Sequence, residues 1–229
     1  MSEGKLYLVA TPIGNLGDIS ERAVETLRNC DLLACEDTRN ASTILKKHGI
    51  EKKMVVYEDS REQRVAPELL ERLKSGEKVA RISDAGMPCI SDPGFRIVRL
   101  CRKEGIDIVP VPGASAFTAA LAASGLPTNG FLFVGFLPAK SAARKAFFEK
   151  YRDFDYTLCF YESTHRIEKF VDDALETLGR DRIICVAKEI TKLHERFFTG
   201  TVAQVKEELS KSNTKGEFVV LIAPKDFEL

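Results

Sequence analysis

Ile82-Ser83-Asp84-Ala85-Gly86-Met87-Pro88-Cys89-Ile90-Ser91-Asp92-Pro93-Gly94 carries the unit I-S-D-x-G twice in tandem. It follows directly on Val79-Ala80-Arg81-Ile82, an apolar run of strand length, and leads into a helical stretch. Aspartate favours local turns and glycine permits a left-handed backbone, so the segment predicts two sharp reversals. Asp92 reads as the N-cap of the following helix and Pro93 as its first residue. A plain strand-to-helix link needs only a few residues. A longer one rich in turn formers exposes backbone N–H and C=O groups to a small polar ligand, and that reading outweighs a plain connection.

Outward from this segment, short apolar runs alternate with amphipathic stretches. Leu6 to Ala10, Leu32 to Cys35 and Met54 to Tyr57 read as strands, and Glu21 to Asn29 as a helix capped by Ser20. Val65, Leu69, Leu70 and Leu73 recur at helical spacing. Alternation of this kind predicts α/β architecture with a parallel-rich sheet covered by helices. Pro110-Val111-Pro112-Gly113 interrupts the periodicity and predicts a boundary between an N-terminal α/β domain, 1–113, and a C-terminal one, 114–229. Beyond it the pattern predicts a small-residue helix around Ala114 to Ala123 and strands near Phe131 to Phe136 and Thr157 to Tyr161. Ile167 to Leu178 reads as an amphipathic helix, followed by strands at Ile183 to Ala187, Arg196 to Thr199 and Phe218 to Ile222. Thr201 and Gln204 form a capping box for the last helix.

Composition narrows the function classes. No apolar run approaches the length of a membrane span, and the first residues show no signal-peptide pattern, so a cytoplasmic protein is expected. Lysine plus arginine balances aspartate plus glutamate, 34 against 34, so any nucleic-acid partner must be held by a local patch. Cys35, Cys159 and Cys185 sit in apolar strands, and His48, His165 and His194 fall at no ligand spacing from the cysteines. No metal is expected.

The polar residues gather where strands end. Thr11-Pro12-Ile13-Gly14-Asn15 follows the first strand; it is neither G-x-G-x-x-G nor a P-loop, and alone reads as an ordinary turn. Glu36-Asp37-Thr38-Arg39 follows the second. Such groups are expensive to desolvate unless paired, and that edge of an α/β sheet is where ligands bind. A surface Asp37–Arg39 pair with a Thr38 cap explains them equally well. In the second half, Gly135 to Lys140, Phe160 to Arg166 and Ala187 to Lys192 end strands, and Lys215-Gly216-Glu217 introduces one. Each alone could be a solvated strand end; their recurrence favours a shared cleft. Lys140, Arg144, Lys145, Lys150 and Arg152 interleave with Phe147, Phe148 and Tyr151. That stretch suits phosphate, or a solvated helix with its aromatics in the core, the commoner arrangement.

Taken in order, A-T-P-I-G-N (Ala10 to Asn15), E-D-T-R (Glu36 to Arg39), S-D-A-G-M-P (Ser83 to Pro88), Asp92 to Gly94, Pro112-Gly113, Ser124 to Pro127, Gly135 to Lys140, Phe160 to Glu162 and Thr191-Lys192 cover nearly the whole chain. Together they resemble the bacterial 16S rRNA cytidine 2′-O-methyltransferase family of the tetrapyrrole-methylase superfamily. The resemblance implies two α/β domains with S-adenosylmethionine in the cleft between them, in a homodimer acting on the small ribosomal subunit and on neither DNA nor membrane. It assigns Pro12, Asp84, Ala85, Gly86, Met87 and Ser91 to the cofactor from the first domain, and Phe136, Leu137, Tyr161, Glu162, Ala187, Gly216 and Glu217 from the second. Asn15, Asp37 and Arg39 would face the acceptor, with Lys140, Arg144 and Lys145 gripping RNA. One departure lies at Tyr57-Glu58-Asp59-Ser60-Arg61-Glu62, where relatives carry a motif with His and Asn. The chain ends at Leu229, without the C-terminal extension of some relatives, so RNA grip is expected from the two core domains and the dimer.

Methyl transfer from a sulfonium needs no protein nucleophile; the protein must align the acceptor oxygen and exclude water. Asp37 and Glu189 are the candidate bases for a ribose hydroxyl, with Arg39 and Lys188 orienting. Two rival readings are a methylase of a tetrapyrrole or protein residue on the same fold, and a non-catalytic ribosome-assembly factor.

Overall fold

Leu32-Leu33-Ala34-Cys35 is buried along its whole length because it is covered on both faces. Leu32 and Ala34 pack with Val65, Leu69 and Ile97, while Leu33 and Cys35 pack with Leu27, Ile44 and Val111. The computed structural model describes residues 4–229 and divides into two units, one ending at Ser115 and the other spanning Ala116–Leu229.

The first unit runs β1 (Lys5–Val9), α1 (Glu21–Asn29), β2 (Leu32–Cys35), α2 (Thr38–Lys47), β3 (Met54–Val56), α3 (Asp59–Lys74), β4 (Lys78–Arg81), α4 (Phe95–Lys103) and β5 (Asp107–Val111). Its sheet has the order β3-β2-β4-β1-β5, and every pairing is parallel. All five carboxyl ends therefore lie on one edge, where the turn-rich segments after β1, β2 and β4 collect. Ser20 caps α1 through its side chain, as its position predicts.

The start of α4 differs from expectation. Asp92 is not its N-cap, nor Pro93 its first residue; the helix begins at Phe95 with Gly94 as N-cap at φ 138°. Gly94 offers no side-chain cap, and the Glu62 carboxylate of α3 replaces it by accepting from Gly94 N (3.1 Å) and Arg96 N (3.0 Å).

The second unit runs α5 (Ala116–Ala123), β6 (Phe131–Phe136), α6 (Ser141–Lys150), β7 (Thr157–Ser163), α7 (Ile167–Leu178), β8 (Ile183–Lys188), β9 (Arg196–Thr201), α8 (Val202–Ser210) and β10 (Glu217–Ile222). Its sheet, β6-β7-β10-β8-β9, keeps one parallel pair, β6 with β7. The other three pairings are antiparallel, so here the alternation overstates the parallel content. The physical reason is the short link from β8 to β9, which makes a hairpin where a parallel return would need a helical crossover. Phe148, Phe160 and Phe170 meet edge to face, with centroids 5.2–6.2 Å apart, at the centre of its core. Thr201 and Gln204 form the expected capping box on α8.

The six cysteines are free thiols, five of them buried. No helix among the described residues is long and apolar enough to cross a membrane.

Candidate functional site

In the first unit the tandem loop is pinned to the end of β1. Thr11 N donates to Gly86 O (2.9 Å), Gly86 N donates to Thr11 O (3.1 Å), and the buried Thr11 hydroxyl donates to Ser83 O (3.1 Å). Gly86 stands at φ 78°, and a Cβ there would lie 3.4 Å from the Ile13 side chain and 3.6 Å from Ala114 O. The reversal thus needs glycine for its backbone angle. Asp84 and Ala85 form the exposed tip, Pro12 is buried behind them and Met87 is half-buried. Ser91 is exposed at φ 62°, and Cys89 shares the left-handed region at φ 72°. Left-handed residues other than glycine are uncommon, and their concentration here matches the segment's reading as a shaped loop.

The E-D-T-R motif meets this loop across 47 residues of sequence: Asp37 N donates to Asp84 Oδ1 at 3.2 Å. Asp37 caps α2 by accepting from Arg39 N (2.8 Å), and Arg39 Nε donates to the same carboxylate at 3.0 Å. The Arg39 hydrogen bonds hold the Asp37 carboxyl down at about 2. A carboxylate so stabilised is a weak proton acceptor, so Asp37 is better suited to accepting a hydrogen bond than to keeping a proton. Asn15 is exposed and its side chain accepts from Gly17 N, closing a single 3₁₀ turn over Leu16–Asp18.

Beneath the loop lies a group that sequence reading did not single out. Arg81 ends β4 fully buried; its Nη2 donates to Pro93 O (3.1 Å) and lies 3.4 Å from Glu36 Oε1. Its guanidinium carbon lies 5.1 Å from the centroid of Tyr57. Nε and Nη1 are buried and have no hydrogen-bond partner among the described residues. Burial pushes the Asp92 carboxyl up to about 6, against the pull of Arg81 and the Ser83 hydroxyl. Burial likewise raises Glu36 and lifts the Cys35 and Cys89 thiols to about 11. Tyr57 donates to Glu62, the residue that caps α4, at 3.0 Å. An arginine inside an apolar strand was the available signal.

In the second unit the register carries the chosen residues to one sheet edge. Phe136 pairs with Tyr161, Glu217 with Ser163, and Phe218 with both Glu162 and Lys188. Tyr161 packs its ring against Phe133 (5.0 Å) and Phe136 (5.7 Å), the latter 55% exposed. Leu137 is buried, and its carbonyl accepts from Arg166. Glu162 is buried; Oε1 accepts from Ser163 N (2.8 Å) and Arg166 Nε lies 3.1 Å away. Its Oε2 has no partner among the described residues. Ala187 is fully buried. The buried Lys188 donates to Asn213 O.

Glu189 sits at φ 50°, and its Oε1 accepts from Lys192 Nζ and from Glu217 N, both at 2.9 Å. Burial opposes ionisation, but these two donors outweigh it and lower the carboxyl. Lys192 also reaches Glu217 Oε2 at 2.7 Å. Gly216 stands at φ 135°, and a Cβ there would fall 2.7 Å from Glu189 Cγ.

The three basic residues assigned to RNA around α6 stand in different surroundings. Arg144 is 2% exposed; its Nε donates to Asp173 Oδ2 (2.8 Å) and its Nη1 to Ala139 O (2.9 Å). Enclosed in this way it cannot meet a phosphate, which corrects its assignment to RNA. Lys145 is spent on Glu176 at 2.5 Å, with Asp173 at 3.9 Å, so its charge is neutralised locally. Lys140 alone of the three is exposed without an ion pair among the described residues. Phe148 is buried in the core, the commoner arrangement for such a helix.

The fold is a five-stranded parallel sheet with a left-handed loop at its carboxyl edge, followed by a mixed α/β unit. The family model for Tetrapyrrole (Corrin/Porphyrin) Methylases matches residues 5–206, and the chain belongs to that family. It is 49% identical over 224 residues to the Ribosomal RNA small subunit methyltransferase I of Haemophilus influenzae, covering 97% of this chain and 79% of the relative. It is 42% identical to the protein of that name from Thermotoga maritima, covering 97% of this chain and 100% of the relative. Among solved structures it shares its fold with diphthine synthase (TM-score 0.76, 17% identity, 98% and 91% covered). The methyltransferase CobJ is similar in the same sense (TM-score 0.71, 16% identity, 100% and 97% covered).

Proposed function

We propose that this chain transfers a methyl group from S-adenosylmethionine to the ribose 2′-hydroxyl of a cytidine in 16S rRNA of the small ribosomal subunit. The observation that carries the reading is the meeting of motifs at one sheet edge: Asp84 of the tandem loop holds Asp37 of E-D-T-R, while Gly86 is bridged to Thr11. Relatives matched along nearly the full chain are named small-subunit ribosomal RNA methyltransferases, which supports the rRNA-methylation part of the reading.

The residues present fit the cofactor. S-adenosylmethionine brings a cationic sulfonium whose methyl is open to attack by an oxygen nucleophile. The loop offers backbone groups and the exposed Asp84 carboxylate to a polar, cationic ligand. In the second unit Glu162 supplies a buried carboxylate oxygen without a partner among the described residues. Pro12, Asp84, Ala85, Gly86, Met87 and Ser91 would hold the cofactor from the first unit, and Phe136, Leu137, Tyr161, Glu162, Ala187, Gly216 and Glu217 from the second. The protein's own contribution is orientation, worth roughly 7–11 kcal/mol in favourable cases. Asp37, fixed by Arg39, accepts a hydrogen bond from the ribose hydroxyl; in the second unit Glu189, fixed by Lys192, and the buried Lys188 are the proposed positioning residues. A 2′-hydroxyl acceptor distinguishes RNA from DNA at the reacting atom. A cytoplasmic homodimer belongs to the same proposal, and sedimentation of the purified chain tests the dimer.

The residue assignment is tested by Asp37→Asn and Glu189→Gln, measured by methyl transfer to small subunits. A loss of turnover in both supports it, and wild-type turnover in both removes Asp37 and Glu189 from the reaction.

A further inference from the structure

With Arg144 buried and Lys145 paired, an electrically balanced chain needs another cationic surface to meet RNA. Helix α4, Phe-Arg-Ile-Val-Arg-Leu-Cys-Arg-Lys from Phe95 to Lys103, supplies one. Arg96, Arg99, Arg102 and Lys103 are exposed, and the helix holds no acidic residue. At 100° per residue these four and Phe95 fall within an arc of about 120°, opposite the buried Ile97 and Cys101. None of the four joins an ion pair among the described residues, whereas the nearby Lys74 is held by Glu71 and Glu104.

Helix stability does not explain the row. Like charges three and four residues apart repel, and Arg96 sits in the first turn, where the helix dipole disfavours a cation. Only Arg102 and Lys103, in the last turn, suit the dipole. The Glu62 carboxylate is already engaged with the Gly94 and Arg96 amides and with Tyr57.

We infer that the exposed face of α4 is a docking surface for the phosphate backbone of the RNA substrate, with Phe95, 70% exposed, placed to stack on a base at its upper end. The inference rests on the rRNA reading above and extends it to a surface. Position favours RNA over an acidic protein. Phe95 follows Gly94 directly, so the row begins where the tandem loop ends, and RNA lying along it is led to the loop that would hold the methyl donor.

The test uses the full chain and purified 16S rRNA lacking the modification, with binding measured by filter retention between 50 and 200 mM salt. Each phosphate contact contributes about 0.7–0.9 to the slope of log affinity against log salt. Replacing Arg96, Arg99 and Arg102 together by Gln is expected to lower that slope by about 2–3. The deficit relative to wild type then shrinks roughly 20–40-fold across this salt range. The matching triple replacement by Lys is expected to keep the wild-type slope, because phosphate reads charge here. In methyl transfer the Gln variant raises KM for RNA while cofactor affinity by calorimetry stays at the wild-type value.

An unchanged slope in the Gln variant overturns the inference, and so does an equal loss in both variants, which would assign the helix a role in shape rather than charge. Retention of RNA binding with loss of binding to an acidic ribosomal protein overturns it in favour of a protein partner. A wild-type chain that binds RNA through α4 but transfers no methyl group would defeat the catalytic reading and leave this one standing.

Discussion

Replacing Asp92 by Asn probes the buried charge cluster beneath the loop. Burial raises the Asp92 carboxyl from 3.8 to about 6, although Arg81 and the Ser83 hydroxyl favour its ionised form. The folded state therefore holds this proton more tightly than the unfolded chain does. The stability tied to that proton is fully present below pH 3.8 and is lost as pH rises through 6. Two pKa units correspond to about 3 kcal/mol, the largest change a single site of this kind can contribute. Asparagine keeps the size and the acceptor oxygen but cannot ionise. The stability of Asp92→Asn relative to wild type is therefore expected to grow by up to about 3 kcal/mol between pH 4 and pH 7. Urea denaturation followed by circular dichroism at four pH values measures it. A difference that stays constant over the range refutes the reasoning. A difference that shrinks as pH rises would mean that Arg81 wins over burial and holds Asp92 ionised.

Other outcomes follow from the same geometry. Arg144→Met leaves the buried Asp173 with only the Ser141 hydroxyl and the more distant Lys145, and should cost about 3 kcal/mol in thermal or urea denaturation. It should leave the salt dependence of RNA binding unchanged, since the side chain is enclosed. Gly86→Ala places a Cβ on a residue at φ 78°, at a cost of about 1–2 kcal/mol. Because the strain falls on the bridge to Thr11, calorimetry should show weaker S-adenosylmethionine binding as well as a lower melting temperature.

What the sequence made legible was local. Ser20 and the Thr201–Gln204 pair announce helix starts because a cap and its amide lie three residues apart. Gly86 announces its turn because few other residues take that backbone angle. The motif order also pointed to one sheet edge, and Asp37 and Asp84 do meet there. What was not legible depends on partners distant in sequence. Asp92-Pro93 looks like a helix start, yet the cap comes from Glu62, 32 residues before Gly94. Arg144 reads as a phosphate ligand until Asp173, 29 residues on, encloses it. Strand direction in the second unit was hidden for a similar reason, since apolar runs reveal strands and not which way they pair.

The central claim is methyl transfer to ribosomal RNA, and isotope transfer tests it most directly. Purified small subunits lacking the endogenous modification would be incubated with the chain and methyl-tritiated S-adenosylmethionine, and the labelled nucleoside identified after digestion. The account predicts label in 2′-O-methylcytidine, lost when Asp37 is replaced by Asn. Unlabelled RNA, in the presence of cofactor binding shown by calorimetry, would contradict it.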